Sequence, residues 1–217
     1  MRILSGAILF FLLFYITPGT EMYDDTHKKN KLDSHKIPGV SLIQNFQSRD
    51  RRGEFRKIYC RSQLNKINLF PEMEECFFSL SHKNVIRGMH FQLPPHACAK
   101  LVTVISGRVL DVICDLRKNS PTYLQSTFFS LSADIPESLY IPPGCAHGFL
   151  SLEDNTLMIY NTTAEYNPFS DSGIHYRSIS FNWPIDEKDA VVSDRDKTLL
   201  PLVDFDTPFY FNSEGSL

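Results

Sequence analysis

From about residue 37 onward, the sequence is divided into short apolar or alternating segments separated by turn residues, and this pattern constrains the fold most. The segments CFFSLS, KLVTVISG, RVLDVICDL and NTLMIYNTT are rich in β-branched and aromatic residues, which favour strands. No stretch with a helical period is long enough for the crossover helix of a βαβ unit. The pattern therefore predicts an all-β sandwich or barrel with a few short helices.

Three further stretches complete this prediction. LNKINLFPEMEE is the best candidate for a short helix or an irregular connector, and DRRGEFRKIY predicts a turn at Gly53 that leads into a strand. The segment after Trp183 carries turns and charges, and we expect it to pack across the barrel. Because no repeat, low-complexity tract or boundary divides this part of the chain, residues 36–217 are predicted to form a single domain.

The charge balance excludes one broad class of function. The chain has 217 residues and a formal net charge of -3, whereas a general nucleic-acid-binding protein normally has an excess of basic residues. A local basic pocket for a phosphorylated small molecule remains compatible with this charge. A chain of this length can bury one substantial core, so the composition is that of a globular domain that does not bind nucleic acid.

The N-terminal segment MRILSGAILFFLLFYITPGTE places one basic residue before an apolar run from about Ala7 to Ile16. This run has the length of a signal-peptide core and is shorter than the roughly 20 residues of a membrane span. The residues after it lack the small-residue pattern of a cleavage site. We interpret residues 1–21 as a mis-assigned extension before Met22 or as a membrane anchor, in preference to a cleaved signal, and residues 22–35 as a polar lead-in.

The cysteines indicate the redox compartment. The chain has five of them, an odd number, and they are scattered without a CxxC pair: Cys60, Cys76, Cys98, Cys114 and Cys145. A disulfide framework is usually denser and even-numbered. We therefore predict free thiols and a cytoplasmic protein, with membrane contact only if the N-terminal segment is retained.

Three motif-bearing stretches, VIRGMHFQLPPHACAKLV, GRVLDVICDLRKNSPTY and YIPPGCAHGFLSLEDN, resemble the body of the dTDP-4-dehydrorhamnose 3,5-epimerase family. IPGVSLIQNFQSRDRRGEF resembles its N-terminal strands, and YNTTAEYNPFSDSGIHY and FNWPIDEKDAVVSDRD resemble its C-terminal section. The resemblance covers roughly residues 36–200. It implies a cupin-type jelly roll, a homodimer, and an isomerase of dTDP-rhamnose biosynthesis that acts on a nucleotide-diphosphate sugar.

The resemblance also implies four catalytic residues. His90 in RGMHFQ is the expected general base, because imidazole titrates near neutral pH, and Asp196 in SDRD is the carboxylate that orients it. The same motif offers Asp194 as an alternative partner. Tyr160 is the expected general acid, and Lys100 is expected to stabilise the enolate oxygen of a 4-keto sugar.

A second group of positions is implied to bind substrate. Guanidinium groups suit phosphate oxygens, and aromatic rings can pack on a sugar or a base. The predicted set comprises Arg52, Phe55, Arg87, Gln92, His147 and Tyr166. Arg51 is an alternative to its neighbour Arg52, and Asp111, which lies in an apolar strand, is expected to be the buried partner of His147.

A metal site is the main rival interpretation, since many cupins bind a metal. PPGCAH fits the second metal-binding motif of cupins through His147, but the first motif requires H-x-H followed by a glutamate, and here His90 is followed by Phe-Gln. His96 could replace the missing histidine, although its proline-flanked loop need not face the cavity. A catalytic metal needs about three protein ligands, so we predict no metal and no cofactor.

The sequence departs from the family at two recognition segments. Glu75 and Phe77 stand where the family has a glutamine and an asparagine, and Arg56 and Lys57 stand where it has an aromatic and an acidic residue. We expect epimerisation at C3, C5 or both of a nucleotide-linked 4-keto-6-deoxyhexose. The alternatives are a single-centre epimerase for a different nucleotide sugar, a catalytically silent sugar-binding cupin, and a metal-dependent cupin oxygenase or isomerase.

Overall fold

The computed structural model describes residues 37–67, 69 and 72–212, so the interpretations of residues 1–21 and 22–35 concern segments outside the described residues. Within that range the protein is mostly β-sheet. The strands are β1 (Ser41–Gln44), β2 (Gln47–Asp50), β3 (Gly53–Arg56), β4 (Glu75–Ser81), β5 (Val85–Gln92), β6 (Lys100–Ser106), β7 (Arg108–Asp115), β8 (Ser126–Ser132), β9 (Glu137–Ile141), β10 (Cys145–Ser151), β11 (Thr156–Thr162), β12 (Asp171–Gly173) and β13 (Val191–Val192). The helices are α1 (Arg61–Asn65) and α2 (Asp194–Lys197), with three short 3₁₀ segments near the C-terminus.

Two larger sheets form the body of the domain. One has the order β1-β9-β6-β11-β4, and the other has the order β12-β5-β10-β7-β8, with β13 parallel to β5. Strands β2 and β3 form a separate hairpin. Strands that are adjacent in space are often far apart in sequence, as expected for a jelly roll.

The core between the two sheets follows the alternation of side chains along each strand. In β7, Val109 and Ile113 point into this inner core, whereas Val112 and Cys114 belong to the core on the opposite face. The inner core also includes Phe149 from β10 and side chains from β6, β9 and β11, so it joins both sheets. Cys114 is fully buried, as expected from its apolar segment.

The C-terminal segment packs on the outer face of the six-stranded sheet, as the sequence predicts. The rings of Phe205 and Phe209 lie 5.1 and 5.7 Å from the ring of Phe91 in β5. Trp183 is buried in the same cluster and donates a hydrogen bond to the carbonyl of Tyr176 at 2.9 Å. This packing holds the segment that carries α2 against strand β5.

The helix prediction is only partly right. Helix α1 begins at Arg61 and ends at Asn65, so it includes only the first two residues of LNKINLFPEMEE. Its buried side chain, Leu64, packs on the outer face of the five-stranded sheet with Leu101 and Tyr140, and this contact determines where the helix lies. In the part of the chain that the structure describes, no helix is long and apolar enough to cross a membrane.

Strand β5 contains a bulge opposite β10. His90 pairs with His147 and Arg87 pairs with Phe149, so two residues of β5 lie opposite one residue of β10. The extra residue interrupts the regular alternation of faces. As a result, Arg87 and His90, three positions apart, face the same side of the strand.

The glycine of RGMH is required by this bulge. Gly88 has a φ of +127°, and a Cβ atom there would lie 2.5 Å from Cα of Gly148 and 2.8 Å from the carbonyl oxygen of His147. A side chain would collide with the backbone of β10. The motif therefore encodes a close approach of two strands at the point where two histidines meet.

Candidate active site

A cavity of about 410 Å³ opens between the two sheets and has the size of a small-ligand pocket. Both sheets contribute residues to its wall, and so does the loop after β11. It brings together seven of the predicted site residues: Arg87, His90, Gln92, Lys100, His147, Tyr160 and Tyr166. Asp196 lies directly behind one of them, so eight of the ten predicted residues are assembled at one place.

His90 and Asp196 form a hydrogen-bonded pair. Nε2 of His90 lies 2.7 Å from Oδ1 of Asp196, and the backbone N–H of Gly88 donates to Oδ2 at 3.2 Å. Ser193 is the N-cap of helix α2, and its hydroxyl accepts a hydrogen bond from the N–H of Asp196 at 3.1 Å, which fixes the position of the carboxylate. The contact with Asp196 makes one ring nitrogen of His90 the donor and leaves the other as an acceptor.

The electrostatics of this pair suit a base at neutral pH. Burial lowers the pKa of His90 below its ordinary value, and the hydrogen bond and charge of Asp196 offset part of that effect. Burial acts to raise the pKa of Asp196, but its contacts with His90, Gly88 and Arg195 keep it below its ordinary value. The pair at pH 7 is thus a neutral imidazole beside an ionised carboxylate.

Tyr160 lies on the opposite wall, in β11 of the five-stranded sheet. Its hydroxyl is 3.2 Å from the hydroxyl of Ser79, and its ring stacks on the ring of Phe77. Burial raises the pKa of Tyr160 well above its ordinary value, and the hydrogen bond with Ser79 offsets only part of the shift. The phenol therefore stays protonated at neutral pH and can donate a proton.

Lys100 is the first residue of strand β6, and its side chain lies between the walls that carry His90 and Tyr160. Its Nζ donates a hydrogen bond to the carbonyl oxygen of His90 at 3.1 Å. Burial lowers the pKa of Lys100, and the nearby carboxylates of Asp111 and Asp171 partly oppose this effect. An ammonium group in such an enclosed place can stabilise a negative charge that develops on a ligand.

His147 and Asp111 form a second, deeper pair, as expected from the sequence. Nε2 of His147 lies 2.8 Å from Oδ2 of Asp111, and both side chains are buried. Burial raises the pKa of Asp111, while His147 and Lys100 act in the opposite direction. The ring of His147 lies edge-on to Tyr160, with centroids 6.2 Å apart, so this pair forms the floor beneath the phenol.

Two predicted substrate ligands are held by other parts of the protein. The guanidinium of Arg87 donates to the hydroxyl of Ser81 and to the carbonyl of Leu80, at 3.1 and 3.2 Å, which positions it at the cavity edge. The amide of Gln92 donates to two backbone carbonyls and accepts from the N–H of Asn167 at 2.6 Å. Gln92 therefore anchors the loop after β11.

That loop carries Tyr166, which is exposed at the cavity mouth. Its backbone N–H donates to Oε2 of Glu75 at 2.8 Å, and its hydroxyl donates to Oδ2 of Asp171 at 3.2 Å. Glu75, one of the departures from the family pattern, thus holds this loop through a carboxylate. Asp171 is a site residue that the sequence analysis did not identify.

Arg195 is another site residue that was missed, although it lies inside the SDRD motif. Its guanidinium pairs with Asp171 at 2.8 Å and lies 3.5 Å from Nε2 of His90. The motif itself was the available signal, because α2 presents Asp196 and Arg195 toward the same histidine. Together with Arg87, Arg195 gives the cavity two guanidinium groups.

Arg52 and Phe55 are not brought to this cavity within one chain. Both lie on the β2–β3 hairpin, which lines a separate pocket. Arg52 pairs with Asp50 at 2.6 Å, and Phe55 is 58% exposed. Arg56, on the same hairpin, turns away and donates to the carbonyl oxygen of Ala133 at 2.9 Å.

The metal-binding alternative requires several ligating side chains to lie together. Within residues 37–67, 69 and 72–212, no three or more His, Cys, Asp or Glu side chains are placed to hold a metal ion together. His96 does not line the cavity; its ring binds the hydroxyl of Ser170 at 2.8 Å and the amide of Asn167 at 3.2 Å.

Comparison with known proteins places this geometry in a family. A model of the dTDP-4-dehydrorhamnose 3,5-epimerase family matches residues 34–204. A dTDP-4-dehydrorhamnose 3,5-epimerase from Shigella flexneri is 34% identical over 174 residues, which cover 79% of this chain and 95% of the relative.

Solved structures agree with this match. A dTDP-6-deoxy-D-glucose-3,5-epimerase from Legionella pneumophila Philadelphia 1, in complex with dTDP-4-keto-L-rhamnose, aligns with a TM-score of 0.77 at 31% identity and covers 82% of this chain and 96% of that chain. A dTDP-4-dehydrorhamnose 3,5-epimerase from Bacillus anthracis str. Ames, with TDP and PPi bound, aligns with a TM-score of 0.73 at 32% identity and covers 80% and 98%. These similarities confirm the predicted cupin-type jelly roll, and the chain belongs to the dTDP-4-dehydrorhamnose 3,5-epimerase family of isomerases.

Proposed function

We propose that this protein epimerises C3, C5 or both of a nucleotide-linked 4-keto-6-deoxyhexose, with dTDP-4-dehydro-6-deoxyglucose or a close relative as substrate. One observation carries the proposal: a His90–Asp196 pair and the phenol of Tyr160 come from opposite sheets and flank one cavity that also contains Lys100. Inversion of a carbon requires a base on one ring face and an acid on the other. Epimerases of this family act on such sugars.

The first step is removal of a proton from the carbon next to the ketone. The neutral ring nitrogen of His90 takes the proton, the C–H electron pair becomes the enolate double bond, and the carbonyl oxygen gains the negative charge. Asp196 stabilises the resulting imidazolium. The ammonium of Lys100 stabilises the enolate oxygen, and this stabilisation grows as charge develops.

The second step returns a proton to the opposite face of the same carbon. The O–H bond of Tyr160 breaks, a new C–H bond forms, and the enolate electrons restore the ketone. The phenolate then recovers a proton from solvent, and His90 releases its proton to solvent. The net change is inversion of one centre without oxidation or reduction, so the reaction needs no redox cofactor, and Lys100 supplies the positive charge at the enolate oxygen without a metal ion.

Substrate recognition is proposed to depend on the charged rim. Arg87 and Arg195 both line the cavity and provide forked donors that suit a diphosphate. Tyr166 is placed to pack on the sugar or the base. Glu75 and Phe77 change the wall formed by β4, and this supports a substrate that differs from the usual one in its sugar or base.

A homodimer is part of the proposal. The outer face of the five-stranded sheet exposes Phe78, Leu80 and Ile105, which would be covered in a pair of subunits. Arg52 and Phe55 lie outside the cavity of their own chain. We propose that they reach the substrate of the neighbouring copy.

The location is proposed to be cytoplasmic, with the folded domain beginning near residue 36. All five cysteines lie among the described residues and all are free thiols, which suits a reducing compartment. Mass spectrometry of the mature N-terminus tests this proposal. A mature chain that begins at residue 1 or at Met22 fits the proposal, whereas another start created by signal cleavage would contradict it.

Solvent exchange tests the reaction directly. The protein is incubated with dTDP-4-keto-6-deoxyglucose in heavy water, and the C3 and C5 protons are followed by NMR. We expect deuterium at C3, C5 or both, and an inverted centre wherever exchange is complete. Exchange at one carbon alone identifies a single-centre epimerase, whereas no exchange with several nucleotide sugars favours a silent sugar-binding cupin.

Two variants assign the base. His90→Ala should lower the exchange rate at both carbons by about 10³-fold, because a general base contributes on that order. His82→Ala is the matched control, since His82 also pairs with an aspartate, Asp154, but is exposed at the surface. Full activity of His90→Ala would refute the assignment.

Chelator treatment should leave the rate unchanged, and a loss restored by added metal would support a metal-dependent cupin.

The shared-site proposal has its own test. Light scattering should give twice the mass of the chain. Arg52→Ala should raise KM, and a mixture of Arg52→Ala and His90→Ala chains should regain activity at about a quarter of the sites, because each mixed dimer holds one intact site. A monomer, or a mixture with no regained activity, would refute the contribution of Arg52 to the neighbouring site.

A further inference from the structure

The phenol of Tyr160 is held on one side by an aromatic ring from the neighbouring strand. The rings of Phe77 and Tyr160 are stacked, with centroids 4.8 Å apart and planes within 10° of parallel. The hydroxyl of Tyr160 also contacts Ser79 at 3.2 Å. Both contacts come from β4, so this strand determines where the acidic proton points.

The stack follows from strand pairing. Phe77 is directly opposite Tyr160 in the antiparallel pair of β4 and β11. Residues in this relation have Cβ atoms about 5 Å apart and project to the same face, which favours contact between two aromatic rings. Ser79 is two positions further along β4 and therefore also faces the cavity.

Phe77 also faces the ligand space. Its side chain lines the cavity and is 43% exposed, whereas Tyr160 beneath it is buried. Strand β4 lies at the edge of the five-stranded sheet. One face of the Phe77 ring thus covers the phenol, and the remainder is open to the cavity.

The resemblance noted above places an asparagine at this position. Asparagine offers hydrogen bonds to a ligand but has no ring to stack on a phenol. In this protein the polar group is absent and an aromatic contact is present. The exchange of side chains therefore changes the support of the general acid as well as the wall of the pocket.

We propose that Phe77 is a positioning residue that fixes the ring plane of Tyr160 and so determines how often the phenol protonates the enolate carbon on the face that inverts the centre. This inference rests on the proposed function. With the stack intact, the Tyr160 O–H bond breaks as the new C–H bond forms on one carbon. Without it the ring tilts, transfer from the phenol slows, and solvent returns the proton more often on the original face, without inversion.

The test compares Phe77→Leu with Phe77→Tyr, which removes and keeps the stack respectively. In heavy water with dTDP-4-keto-6-deoxyglucose, Phe77→Leu should lower kcat about fivefold, because the interaction energy of one aromatic pair corresponds to a rate factor of about that size. The KM should stay within twofold of the wild-type value. The ratio of inverted product to exchanged substrate should fall by a similar factor. Phe77→Tyr should restore both quantities.

A double-mutant cycle separates positioning from direct ligand contact. In a Tyr160→Phe background, Phe77→Leu should have no further effect on the inversion ratio, because it acts through the phenol. Phe128→Leu is the control, since Phe128 is a partly exposed ring paired with Phe181 and does not line the cavity. It should leave all rates within twofold.

The outcomes are distinct. Equal effects of Phe77→Leu in both backgrounds would show that Phe77 acts on the ligand directly, and no effect on the inversion ratio in the wild-type background would also refute the inference. If the wild-type protein exchanges neither C3 nor C5, the proposed function itself fails. Wild-type exchange with an unchanged Phe77→Leu variant refutes the inference alone.

Discussion

Asp115 and Asp196 are buried carboxylates that each bind a basic side chain, and their surroundings differ in one respect. Asp115 accepts hydrogen bonds from Nε and Nη2 of Arg117 at 2.8 and 3.0 Å. The hydroxyls of Ser120 and Thr122 donate to it at 2.6 and 2.8 Å. Burial acts to raise the pKa of Asp115, but these donors keep it below its ordinary value. The protein surrounds this pair completely.

The His90–Asp196 pair is surrounded on one side only. Asp196 is 3% exposed, whereas the side chain of His90 is 27% exposed and faces the cavity. A ligand can therefore reach the imidazole without breaking its bond to the carboxylate. A fully buried pair such as Asp115–Arg117 contributes to stability. A pair that faces a cavity on one side, such as His90–Asp196, can take part in a reaction.

The largest expected effect is that of Asp196→Asn on catalysis. An amide at this position favours the wrong tautomer of His90, so we expect kcat/KM for epimerisation to fall by about 10⁴-fold. Asp194→Asn is the control, because Asp194 lies on the same short helix with its side chain fully exposed. If Asp196→Asn keeps more than a tenth of the activity, the open pair is not the catalytic one.

Arg117→Ala should show the opposite pattern. Removing the guanidinium leaves Asp115 buried and unpaired, so the free energy of unfolding should fall by about 3 kcal/mol, measured by urea denaturation. Lys118→Ala removes the partner of the exposed Asp206 and should lower the free energy of unfolding far less than Arg117→Ala does. Activity per folded molecule should stay within twofold in both variants, and a selective loss of activity in Arg117→Ala would contradict the comparison.

Tyr160→Phe tests whether the His90–Asp196 pair needs a general acid on the opposite wall of the cavity. Loss of the phenol proton should lower completed inversion at one centre by about 10²-fold, while exchange driven by His90 continues. Tyr140→Phe is the matched control. Tyr140 is another buried tyrosine, with its pKa raised to about 12 by burial, but it packs on the outer face of the five-stranded sheet. Equal losses in both variants would indicate a general structural effect.

The smallest expected effect is a shift of the pH profile. Activity requires neutral His90, whose pKa burial lowers below its ordinary value, so the acid limb of kcat/KM should lie below about pH 6.5. Lys100 and Arg195 lower this pKa and Asp196 raises it. Arg195→Gln removes a positive charge that lowers the pKa of His90, so the acid limb should move upward. A downward shift would mean that another group controls the limb.

The sequence predicts the strands and the chemical groups better than it predicts their contacts. Alternation along β7 identifies which side chains enter the core, and short motifs identify His90, Asp196 and Tyr160 as candidates. The contact between His90 and Asp196 joins residues 106 positions apart. Without the family resemblance, no local pattern specifies such a contact, because it depends on how the C-terminal segment crosses the six-stranded sheet.

Arg195, Gln92 and Arg52 show that the sequence does not give the spatial position of a side chain. Arg195 was overlooked because only the packing of α2 places it 3.5 Å from His90. Gln92 is predicted to bind substrate and lines the cavity, and its amide also bonds to backbone groups of the neighbouring loop, which the sequence does not reveal. Arg52 lies on a hairpin whose position depends on contacts beyond its own strand pair. In each case the residue type suggests a chemical role, but the sequence does not show where the side chain points.

The bulge in β5 has a consequence for protein engineering. In a regular strand without the extra residue opposite β10, the same sequence would alternate strictly between the two faces, so Arg87 and His90, three positions apart, would point to opposite sides. Either the guanidinium of Arg87 or the imidazole of His90 would rotate out of the ligand space and into the layer beneath the C-terminal segment. Grafting this pocket onto another barrel would therefore require transfer of the backbone irregularity together with the side chains.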